Sequence, residues 1–274
     1  MDQTLHFISG LPRSGSTLLA ALLRQNPRFH ASISSPVAAL MNGMLEQIGA
    51  GSEFYRFFDQ DKRRALCEAL FKAYYAEHQG ETVIFDTNRS WTARMHQLEM
   101  LWGEFKMIVC VRNPAWIVDS FETLYRNHPL DYSRVYSGKT RGNIYSRAES
   151  LMAHSGVIGS AWAALKEAYY GPLSDRLLLV DYELLAKHPE KCLSLVYDFL
   201  EESPFKHDVN KVAFEDAVFD RDVGVEGLHS VRGKVELQTR ATLLPPDVFK
   251  TYSEMAFWHD TKGTRANLIS HKSY

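Results

Sequence analysis

The sequence predicts an α/β fold, in which a central, mostly parallel β-sheet is flanked by helices in a three-layer, P-loop-like arrangement. Short, apolar, β-branched runs alternate with longer stretches of helical periodicity, as in parallel sheets covered by helices on both faces. The first run leads through a glycine-containing loop into a helix. No internal repeat or Pro/Gly/Ser-rich linker divides the chain, so residues 1–274 are expected to form a single domain.

Four strands are expected, because each is a short apolar run of the kind that is buried on both faces of a parallel sheet. In order along the chain they are Leu5–Ser9, Thr82–Phe85, Lys106–Val111 and Leu177–Val180. Ligands of such sheets bind beyond the carboxyl ends of the strands. Candidate site residues are therefore expected directly after each run.

Six helices are expected between and after these strands. In order they are Ser16–Gln25, Asp61–Glu77, Thr92–Trp102, Pro114–Arg126, Arg147–Tyr170 and Pro189–Glu201. Asn113 and Pro114 supply an N-cap and a first-turn proline for the fourth helix, and Gly171-Pro172 ends the fifth. The sixth helix carries an apolar stripe at helical spacing.

The composition is that of a globular protein: 45% of residues are hydrophobic and 23% are charged, which excludes disordered and collagen-like classes. The net charge of −2 argues against a nucleic-acid-binding protein that relies on bulk positive charge. No apolar run approaches the about 20 residues of a membrane span, and the N-terminus lacks a signal-peptide pattern. Three separated cysteines without a CxxC or HExxH motif predict buried reduced thiols, a cytoplasmic location and no metal site.

The segment Gly10–Thr17 reads G-L-P-R-S-G-S-T and lies between the first strand and the first helix. It nearly matches the nucleotide-binding pattern G-x4-G-K-[ST], but Ser16 occupies the lysine position. Its backbone N–H groups and the positive helix N-terminus favour an anion, and Arg13 supplies a cation. Because the lysine that follows nucleoside triphosphate groups is missing, the loop predicts a different phosphorylated ligand. A serine-rich N-cap on an ordinary helix is the alternative.

At this loop the chain resembles the sulfotransferases that use 3′-phosphoadenosine 5′-phosphosulfate (PAPS), whose 5′-phosphosulfate loop often reads P-R-S-G-[ST]-T. A second family element is a strand followed by arginine and, eight residues later, a serine, and Met107–Val111, Arg112 and Ser120 match it. The resemblance is nearest to the protein-tyrosine sulfotransferase-like bacterial branch. It implies that Arg112 and Ser120 contact the 3′-phosphate. It also implies that the 5′-phosphosulfate is held by Pro12, Arg13, Ser14, Gly15, Ser16 and Thr17.

Two weaker similarities extend the match. Tyr182, in the segment V-D-Y-E after the fourth strand, corresponds to a tyrosine near the adenine in relatives. The segment Arg232, Gly233 and Lys234 resembles the basic loop that closes over the nucleotide. PAPS carries a charge of roughly −4. The cations expected to neutralise it are Arg13, Arg89, Arg112, Arg232 and Lys234.

The resemblance implies a bacterial, cytoplasmic enzyme that moves the sulfuryl group of PAPS, its co-substrate, to a hydroxyl acceptor. That acceptor is a tyrosyl, sugar, lipid or small-molecule hydroxyl. No metal, nucleic-acid partner or membrane span is expected.

Two residues of the tyrosine-modifying relatives have no counterpart here: a glutamate base after the first helix and a lysine after the second strand. The corresponding stretches are Ala31–Pro36 and Asp86–Trp91. Because Asp86 is expected just beyond the carboxyl end of a strand, it is predicted to be the base that takes the proton of the acceptor. Arg89 is predicted to take the cationic role of the lysine. A capping or ion-paired aspartate is the alternative for Asp86, and His30 and Glu46 are weaker candidates for the base.

Two other functions stay open at this point. A P-loop kinase or nucleoside triphosphatase needs a lysine, which Ser16 replaces, and a Mg²⁺-binding carboxylate, which Asp86 or Asp181 would supply. A non-catalytic nucleotide-binding protein would explain the missing base.

Overall fold

The computed structural model describes residues 3–78, 80–127, 140–214, 231–237 and 240–269. Within these ranges the strands are β1 (Thr4–Gly10), β2 (Phe29–Ala31), β3 (Val83–Thr87), β4 (Met107–Val111), β5 (Leu177–Asp181), β6 (Val212–Phe214), β7 (Val231–Gly233) and β8 (Asn267–Ile269). Six of them form one parallel sheet in the order β2-β3-β1-β4-β5-β8. The remaining two, β6 and β7, form an antiparallel pair.

The helices are α1 (Ser16–Leu23), α2 (Val37–Ile48), α3 (Gln60–Tyr74), α4 (Met95–Trp102), α5 (Pro114–Asn127), α6 (Ile144–Met152), α7 (Gly159–Tyr170), α8 (Tyr182–Lys187), α9 (Pro189–Leu200) and α10 (Pro246–Ser253). A 3₁₀ helix, Arg89–Arg94, leads from β3 into α4. None of these helices combines the length and the apolar character that a membrane span requires, within the ranges given above.

The helices cover both faces of the sheet, because side chains of successive strand residues point to opposite faces. Phe7 of β1 enters an apolar core with α2 to α7 and α10, and the next residue, Ile8, enters a second core with α1, α8 and α9. Both side chains are fully buried, and each burial contributes about 1.5–3 kcal/mol relative to exposure. This helix–sheet–helix arrangement confirms the predicted fold class.

The parallel register brings the carboxyl ends of three central strands to one edge of the sheet. Phe7 of β1 lies opposite Asp86 of β3 and Met107 of β4. The segments that follow these strands are the loop that opens α1, the 3₁₀ helix and the chain at Arg112. The edge therefore collects the segments in which the sequence places its candidate residues.

Two predicted elements differ from the structure. The strand β3 extends to Thr87, so Asp86 lies inside it and not after it. The predicted helix Arg147–Tyr170 is two helices, α6 and α7, because the chain folds tightly back on itself between them: a Cβ on Gly159 would lie 2.1 Å from the carbonyl oxygen of Ala153. The cysteines, by contrast, are buried and free, as expected.

Candidate active site

The loop after β1 is fixed to the neighbouring strand β4. Gly10 has φ 123°, and a Cβ at this position would lie 2.1 Å from the carbonyl oxygen of Cys110. The same carbonyl accepts bonds from the N–H of Leu11 at 3.0 Å and from Ser14 Oγ at 2.9 Å. The hydroxyl of Ser14 is thus occupied within the protein, and Pro12 is buried. These two side chains therefore shape the loop.

Arg13 adopts a left-handed backbone conformation with φ 58°. For a residue with a Cβ this conformation costs about 1–2 kcal/mol, and strain of this kind clusters where a chain clamps a ligand. Its Nε donates a hydrogen bond to Ser120 Oγ of α5 at 3.1 Å. Its carbonyl oxygen accepts one from Arg112 Nη1 at 3.4 Å. Arg13 therefore joins the loop to both residues of the second sequence element.

Gly15 is the N-cap of α1, with φ 92°, and it offers no side chain to the helix. A Cβ here would lie 2.8 Å from the ring of Tyr182, so only glycine lets the loop lie against that ring. The first amides of a helix have no acceptor within the helix. Those of Ser16 and Thr17, the first residues of α1, form the positive end of the helix dipole.

Arg112 follows β4 and lies half-buried against Tyr182, with its guanidinium carbon 4.5 Å from the ring centroid. Its Nε is buried and has no hydrogen-bond partner among the described residues. Burial lowers the pKa of Arg112 from its ordinary value, and the nearby Arg240 adds to this effect. A guanidinium stays charged nonetheless. An anionic ligand would compensate the charge of this desolvated guanidinium and accept a hydrogen bond from its unused donor.

Arg240 is a cation of this region that the sequence does not single out. It forms an ion pair with Asp119 of α5, and its guanidinium carbon lies 5.5 Å from the Trp116 ring centroid. The carboxylate of Asp119 also accepts bonds from Thr242 Oγ1 at 2.8 Å and from the N–H of Leu243 at 2.6 Å. These contacts fix the segment before α10 against α5. No local motif marks Arg240, because its partner lies 121 positions away in the chain.

Asp86 lies inside β3 and has no exposed surface. Its carboxylate accepts hydrogen bonds from Tyr75 at 2.8 Å, from the Trp91 indole at 2.8 Å, and from Ser35 at 2.7 Å. Burial raises the pKa of Asp86, and the three donors oppose that rise. An acceptor hydroxyl would have to displace one of these donors to reach the carboxylate. The geometry thus does not fit the predicted role of Asp86 as a base. The reason is that β3 runs on to Thr87, so that Asp86 lies within the strand and is buried.

Arg89 begins the 3₁₀ helix, and its carbonyl oxygen accepts a bond from Ser9 Oγ of β1 at 3.1 Å. Its side chain is exposed, yet the surrounding protein desolvates it enough to lower its pKa from the ordinary value. Arg89 is thus accessible to solvent and at the same time partly surrounded by protein. It does not neutralise Asp86, whose partners are three uncharged donors.

Comparison with known proteins identifies the family. A sequence model described as the sulfotransferase family matches residues 6–206. The chain belongs to the sulfotransferase family. The matched residues include the loop after β1, Arg112, Ser120 and Tyr182, whereas the segments at Lys234 and Arg240 lie beyond them.

Three known proteins resemble this chain in sequence or in structure. The chain is 30% identical over 135 residues to nodulation protein NoeE of Sinorhizobium fredii, an alignment that covers 43% of this chain and 31% of that protein. The sulfotransferase domain of the Synechococcus PCC 7002 olefin synthase superposes with a TM-score of 0.50 at 19% identity, covering 94% of this chain and 95% of that one. The sulfotransferase domain from the curacin biosynthetic pathway gives 0.51 at 19% identity, covering 95% and 94%. The structural similarities show the fold.

Five of the predicted sulfotransferase residues lie together. Arg13 contacts Ser120 and Arg112, Arg112 lies on Tyr182, and Tyr182 lies against Gly15. Three other predicted residues, Arg232, Gly233 and Lys234, do not belong to this set of described contacts. Lys234 is exposed and follows β7, which contacts α1. Gly233 ends β7 with φ 86°, and the side chain of Arg232 lies outside the described residues.

Proposed function

We propose that this sulfotransferase transfers the sulfuryl group of PAPS to a hydroxyl acceptor. The observation that carries the proposal is the contact of Arg13 with both Ser120 and Arg112. One contact set thereby joins the loop that resembles the 5′-phosphosulfate site to the residues that resemble the 3′-phosphate site. A ligand with phosphate groups at both ends fits such a pair of adjoining anion sites.

The 3′-phosphate is assigned to Arg112 and Ser120. The buried, unpartnered Nε of Arg112 is a donor that a doubly charged phosphate would satisfy, and a guanidinium matches two phosphate oxygens at once. Tyr182 holds the guanidinium from one side at 4.5 Å. In the proposal the same ring also borders the adenine.

The 5′-phosphosulfate is assigned to Arg13 and to the backbone N–H groups at the start of α1. Gly15 supplies the turn, and the first amides of the helix supply donors that the helix itself does not use. When bound, PAPS supplies the sulfuryl group that is transferred. Arg13 and the loop amides stabilise the charge that develops on the 5′-phosphate as the sulfur–oxygen bond breaks. Arg89 provides a second cation at the same edge of the sheet.

Asp86 is given a positioning role in this proposal. Its carboxylate holds Ser35, which precedes α2, and Trp91, which lies in the 3₁₀ helix of Arg89. It thereby fixes two segments that border the ligand edge.

A phenolic acceptor, with a pKa of about 10, needs less help from a base than a sugar hydroxyl does. With Asp86 in a positioning role, the proposal favours an acidic hydroxyl, whose proton can pass to water as the sulfuryl group is transferred.

The kinase alternative has less support. Ser16 replaces the phosphate-binding lysine, and both carboxylates named for Mg²⁺ are occupied. Asp86 is buried among three donors, and Asp181 caps α8 by accepting bonds from the N–H groups of Glu183 and Leu184.

Three free, buried cysteines and bacterial relatives support the proposal that the enzyme works in a reducing bacterial cytoplasm. The net charge of −2 supports a small acceptor over a nucleic acid.

The experiment that tests the donor site is calorimetry with 3′-phosphoadenosine 5′-phosphate (PAP) and AMP, which differ at the 3′-phosphate. We expect PAP to bind at least ~100-fold more tightly, since charged hydrogen bonds contribute about 1.5–3 kcal/mol each. Arg112→Ala should remove most of that difference. Arg64→Ala is the matched control, because Arg64 is an exposed arginine paired with Glu68 on α3. Equal affinities of the unaltered chain for PAP and AMP would contradict the proposed donor.

A further inference from the structure

Two histidines and a glutamate meet at the edge of the sheet where β2 lies. His30 is in β2, His78 follows α3, and Glu81 precedes β3. One nitrogen or oxygen ligand atom of each lies within 4.8 Å of those of the other two. All three residues are half-buried. None of them belongs to the proposed PAPS site, and none of the sequence motifs includes them.

Backbone contacts hold this cluster in place. The β2–β3 pairing sets His30 opposite Ile84, and the carbonyl oxygen of Arg28 accepts bonds from the N–H groups of Thr82 and Val83 at 2.9 and 3.1 Å. The Gln3 side-chain amide donates to the carbonyl oxygens of both His78 and Glu81. The segment that carries His78 and Glu81 is therefore tied to the residues that directly precede β1 and β2.

The distances suit a small divalent ion. A tetrahedral zinc site with bonds of 2.0–2.1 Å separates neighbouring ligand atoms by about 3.4 Å. His78 Nδ1 lies 3.6 Å from Glu81 Oε1, and the ligand atoms of all three residues lie within 4.8 Å of one another. The rings of His30 and His78 lie with their centroids 3.7 Å apart, so the two imidazoles must rotate apart for one nitrogen of each to point at a shared ion.

The cluster borders a cavity of about 430 Å³, whose other lining residues include Arg24, Ser32 and Ser34. A three-residue site beside a cavity leaves a coordination position for water or for a second ligand. Two imidazoles and one carboxylate are a donor set that zinc accepts, whereas Mg²⁺ and Ca²⁺ require oxygen ligands.

We propose that His30, His78 and Glu81 bind a Zn²⁺ ion that joins β2 to the turn between α3 and β3. The ion replaces the weak contact of two neighbouring imidazoles with metal–ligand bonds. It fixes the strand that leads into Ser32–Ser34 and then to Ser35, whose hydroxyl holds Asp86. None of the three ligands is a residue of the proposed PAPS site, so the proposal stands whether or not PAPS is the donor.

The test is zinc binding to the full chain, purified in the presence of a chelator and then desalted. Calorimetry with ZnCl₂ should give one ion per chain, and unfolding should shift to higher temperature as zinc is added. His30→Gln, His78→Gln and Glu81→Gln should each weaken zinc binding at least ~10-fold. These variants keep side-chain size and polarity, and circular dichroism without zinc checks that each is folded.

His96→Gln is the matched control. His96 and Glu99 on α4 are also three residues apart, with His96 Nδ1 3.8 Å from Glu99 Oε2, but they lack a third ligand in the described structure. This variant should bind zinc as the unaltered chain does. Absence of zinc binding at about 100 μM, or equal loss in the His96→Gln variant, would overturn the proposal. Binding that survives unchanged in all three cluster variants would overturn it as well.

Discussion

Arg13 Nε donates a hydrogen bond to Ser120 Oγ at 3.1 Å, across 107 positions of the chain. The bond joins the loop after β1 to the first half of α5, and so couples the two anion sites. In the proposed function the Ser120 hydroxyl has two tasks: it contacts the 3′-phosphate and it orients the guanidinium that works at the 5′ end. A change at one site is therefore expected to affect the other.

Ser120→Ala tests this coupling. The Ser120→Ala variant removes one of the contacts that orient the Arg13 guanidinium, and one lost hydrogen bond to a charged group is worth about 1.5–3 kcal/mol. We expect kcat to fall about tenfold or more and PAP affinity to fall by a similar factor. Both are measured with ³⁵S-labelled PAPS and by calorimetry. Thr123→Ala, one turn later on the same helix, is the control, since among the described residues the Thr123 hydroxyl bonds only the backbone of Asp119. A Ser120→Ala variant that changes PAP affinity alone would disprove the coupling.

Arg13 carries two separable effects, charge and backbone strain. Arg13→Ala and Arg13→Gly both remove the guanidinium, and we expect each to lower kcat about a hundredfold, the loss that follows removal of one preorganised donor. Only glycine relieves the left-handed conformation at φ 58°. The Gly variant should therefore be about 1 kcal/mol more stable to urea than the Ala variant. Equal turnover of the unaltered chain and both variants would show that Arg13 has no role in catalysis.

His6 provides a prediction about pH. Its ring is 5% exposed, and neither nitrogen has a hydrogen-bond partner among the described residues. Burial, with a contribution from Lys106, lowers the pKa of His6 to about 4. The folded state thus binds this proton less tightly than the unfolded state does. Stability is full above the ordinary pKa of about 6.5 and is lost as the pH falls towards 4.

Between pH 7 and pH 5 this linkage should cost the chain about 2 kcal/mol of unfolding free energy. Urea unfolding of the unaltered chain and of His6→Phe at both pH values measures it. The difference between the two pH values should be smaller by that amount in His6→Phe, because phenylalanine binds no proton. His96→Phe, at an exposed histidine, should keep the full difference. A pH dependence unchanged by His6→Phe would show that His6 is accessible to protons in the folded state.

Local sequence patterns predicted the parts of the fold that form long apolar runs or are bounded by turn residues. The strands β1 and β4, the loop between Gly10 and Ser16, and Arg112 were all visible as apolar runs and turn residues. β2 and β8 were not, because a three-residue strand has too few residues to show a period. Their pairing depends on neighbours that are far away in sequence.

Site residues held by tertiary contacts were also missed or misplaced. Arg240 was missed because its partner Asp119 lies on another element. Asp86 was placed beyond its strand because Asp disfavours strands locally. Three buried donors, Ser35, Tyr75 and Trp91, outweigh that preference, and only the fold brings them together. The cluster of His30, His78 and Glu81 was invisible for the same reason.

Asp86→Asn distinguishes a positioning aspartate from a base. Asparagine has nearly the same shape, but its amide group presents hydrogens to at least one of the donors Ser35, Tyr75 or Trp91. A buried mismatch of this kind costs about 1–3 kcal/mol. A positioning role therefore predicts a loss of urea stability of that size, with kcat of the folded fraction reduced less than about tenfold.

A base role predicts the opposite division for Asp86→Asn: kcat falls ~10² or more, and stability changes little. The pH profile of kcat separates the two further through Tyr75→Phe, which removes a donor that lowers the pKa of Asp86. If Asp86 is the base, this variant shifts the rising limb of the profile to higher pH. If Asp86 positions Arg89 through Trp91, the limb stays in place and only stability falls. We expect the second outcome, since the carboxylate has no exposed surface and every donor around it belongs to the folded core.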